Sequence, residues 1–253
     1  RGCIVICGGA DETDHADKYL EAGADYVLTG EGDLTLRELI DHLEGHESPT
    51  LHEIKSLAYR AADGTIVKTF PRPVISALDS LPFPAWDLVN RDQYRAIWKE
   101  NHGYYSMNLI TTRGCPFHCN WCAKPIWGQR YNVRSAQHVV SEMKWLQENF
   151  QPDHIWFMDD IMGIQDRWIE AFADELDAQN VHIPFKSLNR VDLLLRGKTI
   201  PALARAGAKI VWVGAESGSQ KILDAMEKGT TVDQIYEAAR KLRENGVKVA
   251  FFL

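Results

Sequence analysis

Met107-Asn108-Leu109-Ile110-Thr111-Thr112-Arg113-Gly114-Cys115-Pro116-Phe117-His118-Cys119-Asn120-Trp121-Cys122 joins two signals in one stretch. Residues 107–112 read as a short apolar strand, and the loop that follows carries three thiols. The five cysteines are Cys3, Cys7, Cys115, Cys119 and Cys122, so three of them fall within eight residues. An odd, sparse set is unlike the disulfide framework of a secreted domain and reads as reduced thiols doing metal chemistry in a cytosol-like compartment. Three thiolates on one loop suit three irons of a [4Fe-4S] cluster and leave the fourth iron without a ligand from this motif. An open metal position is what a catalytic site needs. Structural zinc usually takes two separated ligand pairs, whereas Cys3 and Cys7 lie more than a hundred residues away and His118 sits between two of the cysteines. A Cys119/Cys122 dithiol would leave Cys115 unexplained. Zinc, a dithiol and a closed electron-transfer cluster remain alternatives at this point.

Downstream, strand-like runs recur at 154–158, 183–188, 210–213 and 247–252, with helix-like stretches between them. Ser135 is a plausible N-cap for a helix whose apolar face is Val139, Val140, Met143, Leu146 and Phe150. Trp168, Ile169, Phe172 and Leu176 form a second face, and Pro201 suits the first turn of a third helix. Thr231 with Gln234 predicts a capping box for the last helix, which Gly246 ends. Strands alternating with helices imply a parallel sheet with right-handed crossovers, here a partial (β/α) barrel seen as far as its fifth strand. In such barrels the loops after the strands build the active site.

Upstream, residues 1–48 read as strand, helix, strand, helix: 4–6, 15–22, 26–29 and 33–43. Ala58 to Lys68, turning at Asp63-Gly64, reads as a hairpin. Pro71, Pro73, Pro82 and Pro84 mark a linker, which puts the domain boundary in 70–100. The expected organisation is 1–48, then hairpin and linker over 49–100, then the barrel core over 101–253. Of the 253 residues 45% are hydrophobic and 25% charged, enough apolar material for a sizeable core. No apolar run approaches the roughly 20 residues that span a bilayer, and no signal peptide is read. The net charge of −7 argues against a dominant nucleic-acid-binding face. The chain starts at Arg1 and stops inside an apolar run, so it reads as a piece of a longer protein.

Cys115-x3-Cys119-x2-Cys122, with Trp121 before the last cysteine, resembles the cysteine motif of the radical S-adenosylmethionine (radical SAM) superfamily. Gly214-Ala215-Glu216-Ser217-Gly218-Ser219, followed by Leu223, Met226 and Lys228, resembles the fourth-strand motif of its cobalamin-binding and methylthiotransferase branches. Gly8-Gly9, Ala24-Asp25-Tyr26-Val27 and Gly30-Glu31-Gly32 with Thr35-Leu36 are similar to the last part of the cobalamin-binding domain that precedes such cores, and Leu81-Pro82-Phe83-Pro84 is similar to its linker. The resemblance points to the anaerobic magnesium-protoporphyrin ester cyclase type and the cobalamin-dependent methyltransferases. It implies an α/β fold: a partial radical SAM barrel preceded by the C-terminal part of a Rossmann-like cobalamin-binding domain. The Asp-x-His-x-x-Gly signature of a cobalamin-ligating histidine does not occur in this sequence.

What the resemblance implies for the residues is specific. Cys115, Cys119 and Cys122 ligate the cluster, and S-adenosylmethionine chelates the open iron. Its reductive cleavage yields methionine and a 5′-deoxyadenosyl radical, for methyl transfer or oxidative cyclisation. At least one of Asp159 and Asp160, ending the second barrel strand, accepts from the amino group; the other reading is a solvated strand end. Glu216 accepts from ribose hydroxyls or the amino group and Ser217 donates to the carboxylate, unless the segment is only a helix-capping turn. Arg190 forks onto the carboxylate or caps a helix. Gly8, Gly9, Gly30 and Gly32 let backbone approach cobalamin, or simply end strands. Tyr104, Tyr105, Trp127 and Tyr131 flank the loop as pocket or core. Cys3 and Cys7 read as small buried hydrophobes, and His15, His42, His46 and His52 as surface residues. The expected partners are a small-molecule or biosynthetic-intermediate substrate and a flavodoxin- or ferredoxin-type electron donor, in an oxygen-sensitive cytoplasmic protein. A non-catalytic iron–sulfur electron carrier and a zinc-stabilised binding module are the competing functions.

Overall fold

The computed structural model describes residues 2–47, 49–124 and 126–253. The chain divides into two compact units, one made of residues 1–76 with 123–128 and the other of 77–122 with 129–253.

The first unit contains β1 (Ile6–Gly8), α1 (Ala10–Glu21), β2 (Tyr26–Leu28), α2 (Asp33–Leu43), β3 (Leu57–Arg60) and β4 (Ile66–Lys68). The strands form one sheet in the order β1-β2-β3-β4. β1 and β2 are parallel, and the other two pairings are antiparallel. The hairpin grouped above with the linker therefore extends the front sheet. The physical reason is burial on both sides: Val27 and Ala58 pack with Ala16 and Leu20, while Leu28 and Leu57 pack with Leu39 and Ile54. The first helix begins at Ala10, five residues earlier than its apolar spacing suggests, and kinks at His15. Cys7 is half-buried against one of these small cores, whereas Cys3 is exposed, contrary to the expectation of a buried residue.

The second unit contains α3 (Arg91–His102), β5 (Ser106–Leu109), β6 (Thr112–Arg113), β7 (Asn132–Val133), α4 (Ala136–Asn149), β8 (His154–Phe157), α5 (Asp166–Gln179), β9 (Phe185–Asn189), α6 (Val191–Leu194), α7 (Thr199–Arg205), β10 (Ala208–Gly214), α8 (Gln220–Ala225), α9 (Val232–Glu244) and β11 (Lys248–Phe252). Five of the strands make a parallel sheet in the order β11-β10-β9-β8-β5. Sequential strands are neighbours throughout, the winding of an opened (β/α) barrel. Ser135 accepts from the His138 amide at the start of α4, and Thr231 and Gln234 form both bonds of a capping box on α9.

The 107–112 run does not stay one strand. β5 ends at Leu109, and Thr112–Arg113 pairs antiparallel with Asn132–Val133. The cause is Asp159 at the end of β8, which draws in the Thr111 and Thr112 amides.

Strand alternation sorts the sheet's faces. Met107, Leu109, Ile155, Phe157, Phe185, Val211 and Val213 join the main core, with apolar faces of α4, α5, α7 and α9. The intervening Trp156, Lys186, Leu188, Ile210 and Trp212 are half-buried, and Asn108 is exposed. Among the described residues, no helix is long and apolar enough to cross a membrane.

Candidate functional site

The cysteine loop springs from the β6 ribbon at Gly114, whose φ of 84° suits a residue without a side chain. The Gly114 amide donates to Asp160 Oδ2 at 3.1 Å. Cys115 and Cys119 are half-buried and Cys122 is exposed. The Cys122 amide donates to the Cys119 carbonyl at 3.2 Å, closing a tight turn. Asn120 fastens the loop to the end of α8: its amide donates to the Met226 carbonyl (3.1 Å) and its side chain to the Ala225 carbonyl (2.8 Å).

Arg190, immediately after β9, holds the loop from the other side. Its guanidinium lies 3.7 Å from the Phe117 ring centroid, and Nη1 is 3.7 Å from Cys119 Sγ. Nη2 donates to the Lys228 carbonyl at 2.7 Å, and Nε pairs with Asp192 at 3.0 Å. Three donors of the fork anticipated for a ligand carboxylate are thus engaged within the protein.

The fourth barrel strand supplies an ion pair. Lys228 Nζ donates to Glu216 Oε1 at 2.7 Å, with both side chains about nine-tenths buried. The same ammonium stands 6.0 Å from the Trp121 ring in the loop. Glu216 has a φ of 62°, a strained conformation for a non-glycine residue. A Cβ on Gly214 would lie 2.7 Å from both Glu216 Oε1 and Lys228 Nζ, so only glycine leaves room for that pair. Ser217 Oγ accepts from the Ser219 amide at 3.1 Å, the contact of a helix-leading turn.

The two aspartates part company. Asp159 is buried and accepts from the Thr111 amide (2.6 Å), the Thr111 hydroxyl (2.5 Å) and the Thr112 amide (2.9 Å). Burial pushes its pKa up to about 6, against the lowering effect of those bonds and with a smaller push from Asp160. Asp160 is exposed beside the start of the loop and keeps room for another donor.

Three thiols, Asp160, Arg190 and the Glu216–Lys228 pair therefore surround one loop at the C-terminal ends of the strands. Lys228, Phe117 and Asn120 were not singled out as site residues by their sequence context. The signal for Lys228 was its place twelve residues after Glu216, within the same motif. The donor set fits a cluster: the three thiols share one short loop, and Arg190 stands 3.7 Å from one of them. Among the described residues, no three His, Cys, Asp or Glu side chains converge on one ion.

The remaining residues sort by unit. In the first, a Cβ at Gly8 or at Gly32 would meet Leu28 at 3.3 Å, and one at Gly9 would come within 2.6 Å of Glu12 Oε2. Gly30 has a φ of 73°, and its amide donates to Thr13 Oγ1. Each glycine thus has a local packing or turn role. Trp127 belongs to this unit and donates its indole N–H to Glu31 at 3.0 Å. In the second, Tyr105 is buried in the core under Arg95, and Tyr104 is exposed against His154. Burial raises the Tyr131 pKa, and its hydroxyl accepts from the Ile164 amide.

A parallel (β/α) sheet with a three-thiol loop after its first strand defines a class: barrel enzymes built around a loop-borne metal centre. The chain belongs to the radical SAM superfamily, whose sequence profile matches residues 109–253. Its branch is that of the anaerobic magnesium-protoporphyrin cyclases and the cobalamin-dependent radical SAM methyltransferases. An uncharacterised methyltransferase of Pyrococcus horikoshii is 30% identical over 88% of this chain and 47% of its own length. The anaerobic magnesium-protoporphyrin IX monomethyl ester cyclase of Synechocystis is 28% identical over 96% of this chain and 48% of its own. The chain thus spans about half the length of these relatives. The cobalamin-dependent S-adenosylmethionine radical enzyme OxsB has the same fold, with a TM-score of 0.79 at 21% identity over 98% of this chain and 36% of its own.

Proposed function

We propose that this chain is the radical-generating part of a longer cobalamin-linked enzyme, in which Cys115, Cys119 and Cys122 hold a [4Fe-4S] cluster that binds S-adenosylmethionine. When bound, the cluster supplies one electron for reductive cleavage of the sulfonium, giving methionine and a 5′-deoxyadenosyl radical. One observation carries this reading: Asn120 and Arg190 pin the three-thiol loop at the strand ends, beside the Glu216–Lys228 pair. Asp160 stands open to accept from an ammonium group at the loop's base. Glu216 keeps one carboxylate oxygen on Lys228 and has a second for a ribose or amino donor. Ser217 reaches a carboxylate by turning its hydroxyl hydrogen outward. Arg190 positions Cys119 and Phe117, and Asp159 holds the strand end from which the loop departs.

The parent's reaction is methyl transfer or oxidative cyclisation, supported by relatives of both kinds at 26–30% identity. Gly8, Gly9, Gly30 and Gly32 would lie on the cobalamin side of the front unit, and a flavodoxin- or ferredoxin-type donor would supply the electron.

The test uses the parent-length protein, reconstituted anaerobically with iron and sulfide. With S-adenosylmethionine and a strong reductant, the wild type should form 5′-deoxyadenosine, and Cys122→Ala should form none. A spectroscopically intact cluster without cleavage would favour an electron carrier; zinc in place of iron would sink the reading.

A further inference from the structure

The core sheet carries helices on one face, and its other face presents a row of unlike side chains. Register places Asn108, Trp156, Lys186 and Ile210 side by side across four strands. Leu188 and Trp212 form the next row toward the strand ends that bear the cysteine loop. Inner faces of such barrels usually fill with branched apolar residues. A lysine and an indole at mid-strand depart from that pattern.

Lys186 Nζ stands 3.5 Å from the centroid of the Trp156 ring. Among the described residues no carboxylate pairs with it, and burial lowers its pKa. Trp156 Nε1 is buried, again without an acceptor among the described residues. One row below, His154 is held neutral at pH 7: burial and the Lys186 charge bring its pKa to about 4, and Nδ1 contacts Ser106 Oγ. No anion reaches Lys186 from that side. A partly desolvated cation and a buried N–H are both costly to leave unanswered. The indole nitrogen is sealed from solvent, whereas half-buried Lys186 is not, so an anion on this wall answers the cation.

We infer that this row is a substrate-binding wall for an acid-bearing molecule: a carboxylate or phosphate received by Lys186, with an apolar or planar body against Leu188 and Trp212. The inference rests on the proposed radical chemistry only for the reason a substrate should come to this face. Lys186 fixes the acid, and the ring beneath it keeps that cation in place.

The experiment is calorimetric titration of the parent-length protein, without reductant, using 1-naphthoate, 1-naphthyl phosphate and the uncharged naphthalene-1-methanol. At least one acid should bind about tenfold or more tighter than the alcohol, and the better of the two identifies the acid class. Lys186→Met should erase that preference, whereas Lys186→Arg should keep it. Lys186→Gln replaces Lys186→Met if the latter does not fold. Absence of any preference in the wild type, or a preference that survives loss of the cation, overturns the inference. Because deoxyadenosine formation by the wild type is read separately, failure here is distinct from failure of the radical reading.

Discussion

Asp159 offers a test in which burial competes directly with hydrogen bonding. Its carboxylate accepts three hydrogen bonds, which favour the ionised form, yet burial wins and its pKa rises from 3.8 to about 6. The native state therefore keeps a proton between those values that the unfolded chain has lost. Stability from this group falls as pH rises through that window and is level above about pH 6. A rise of roughly two pH units corresponds to about 3 kcal/mol. Asp159→Asn removes the charge, keeps an acceptor for the Thr111 and Thr112 amides, and can donate to the Thr111 hydroxyl. Relative to wild type, the variant should gain about 2.5 kcal/mol between pH 4 and pH 7.5. Urea unfolding of both proteins at several pH values, followed by near-ultraviolet tryptophan signals, measures that difference and cancels contributions from other carboxylates. A difference that stays constant across the range, or that shrinks as pH rises, would refute the reasoning.

Arg190→Lys keeps the charge but loses the planar fork that meets Phe117, Cys119 and Lys228 together; iron and sulfide content should fall and the cluster's reduction potential should shift, and wild-type values for both would remove Arg190 from its positioning role. Lys228→Met leaves Glu216 buried without its cation and should cost about 3 kcal/mol in chemical denaturation, with partial recovery in the Glu216→Gln double variant; a cost below about 0.5 kcal/mol would show that the pair is not a buried one. Thr231→Ala deletes one arm of the α9 capping box and should cost about 1 kcal/mol, against a Tyr236→Ala control on the exposed face of the same helix.

The alternation of strands and helices was readable because each strand carries a compact apolar run and each helix an apolar stripe at the right period. The caps at Ser135 and Thr231 were readable because capping depends on neighbours a few residues away. What escaped was set by distant partners. Nothing near Thr112 announces that Asp159, 47 residues on, will bend its strand away. Arg190 looked free because the Lys228 carbonyl and the Cys119 thiol are 38 and 71 residues distant. The hairpin read as an appendage of the linker because its value to the fold lies in Leu57 and Ala58 filling opposite sides of a sheet built from earlier strands. The cysteine spacing is the opposite case: the ligands share one loop, so their local order carries the chemistry.

The six residues Ala123–Gly128, directly after the last cysteine, belong to the first compact unit, and the chain then returns to the second. The chain therefore passes between the units three times. Cutting the gene near residue 77 to express the barrel alone would carry off a piece of the front unit and strip Trp127 of its Glu31 acceptor. Limited proteolysis in the proline-rich stretch would leave the hexapeptide on the second product. Exchange of front units between relatives, in evolution or in the laboratory, has to move this hexapeptide as well, so a working chimera needs two crossovers in addition to its ends.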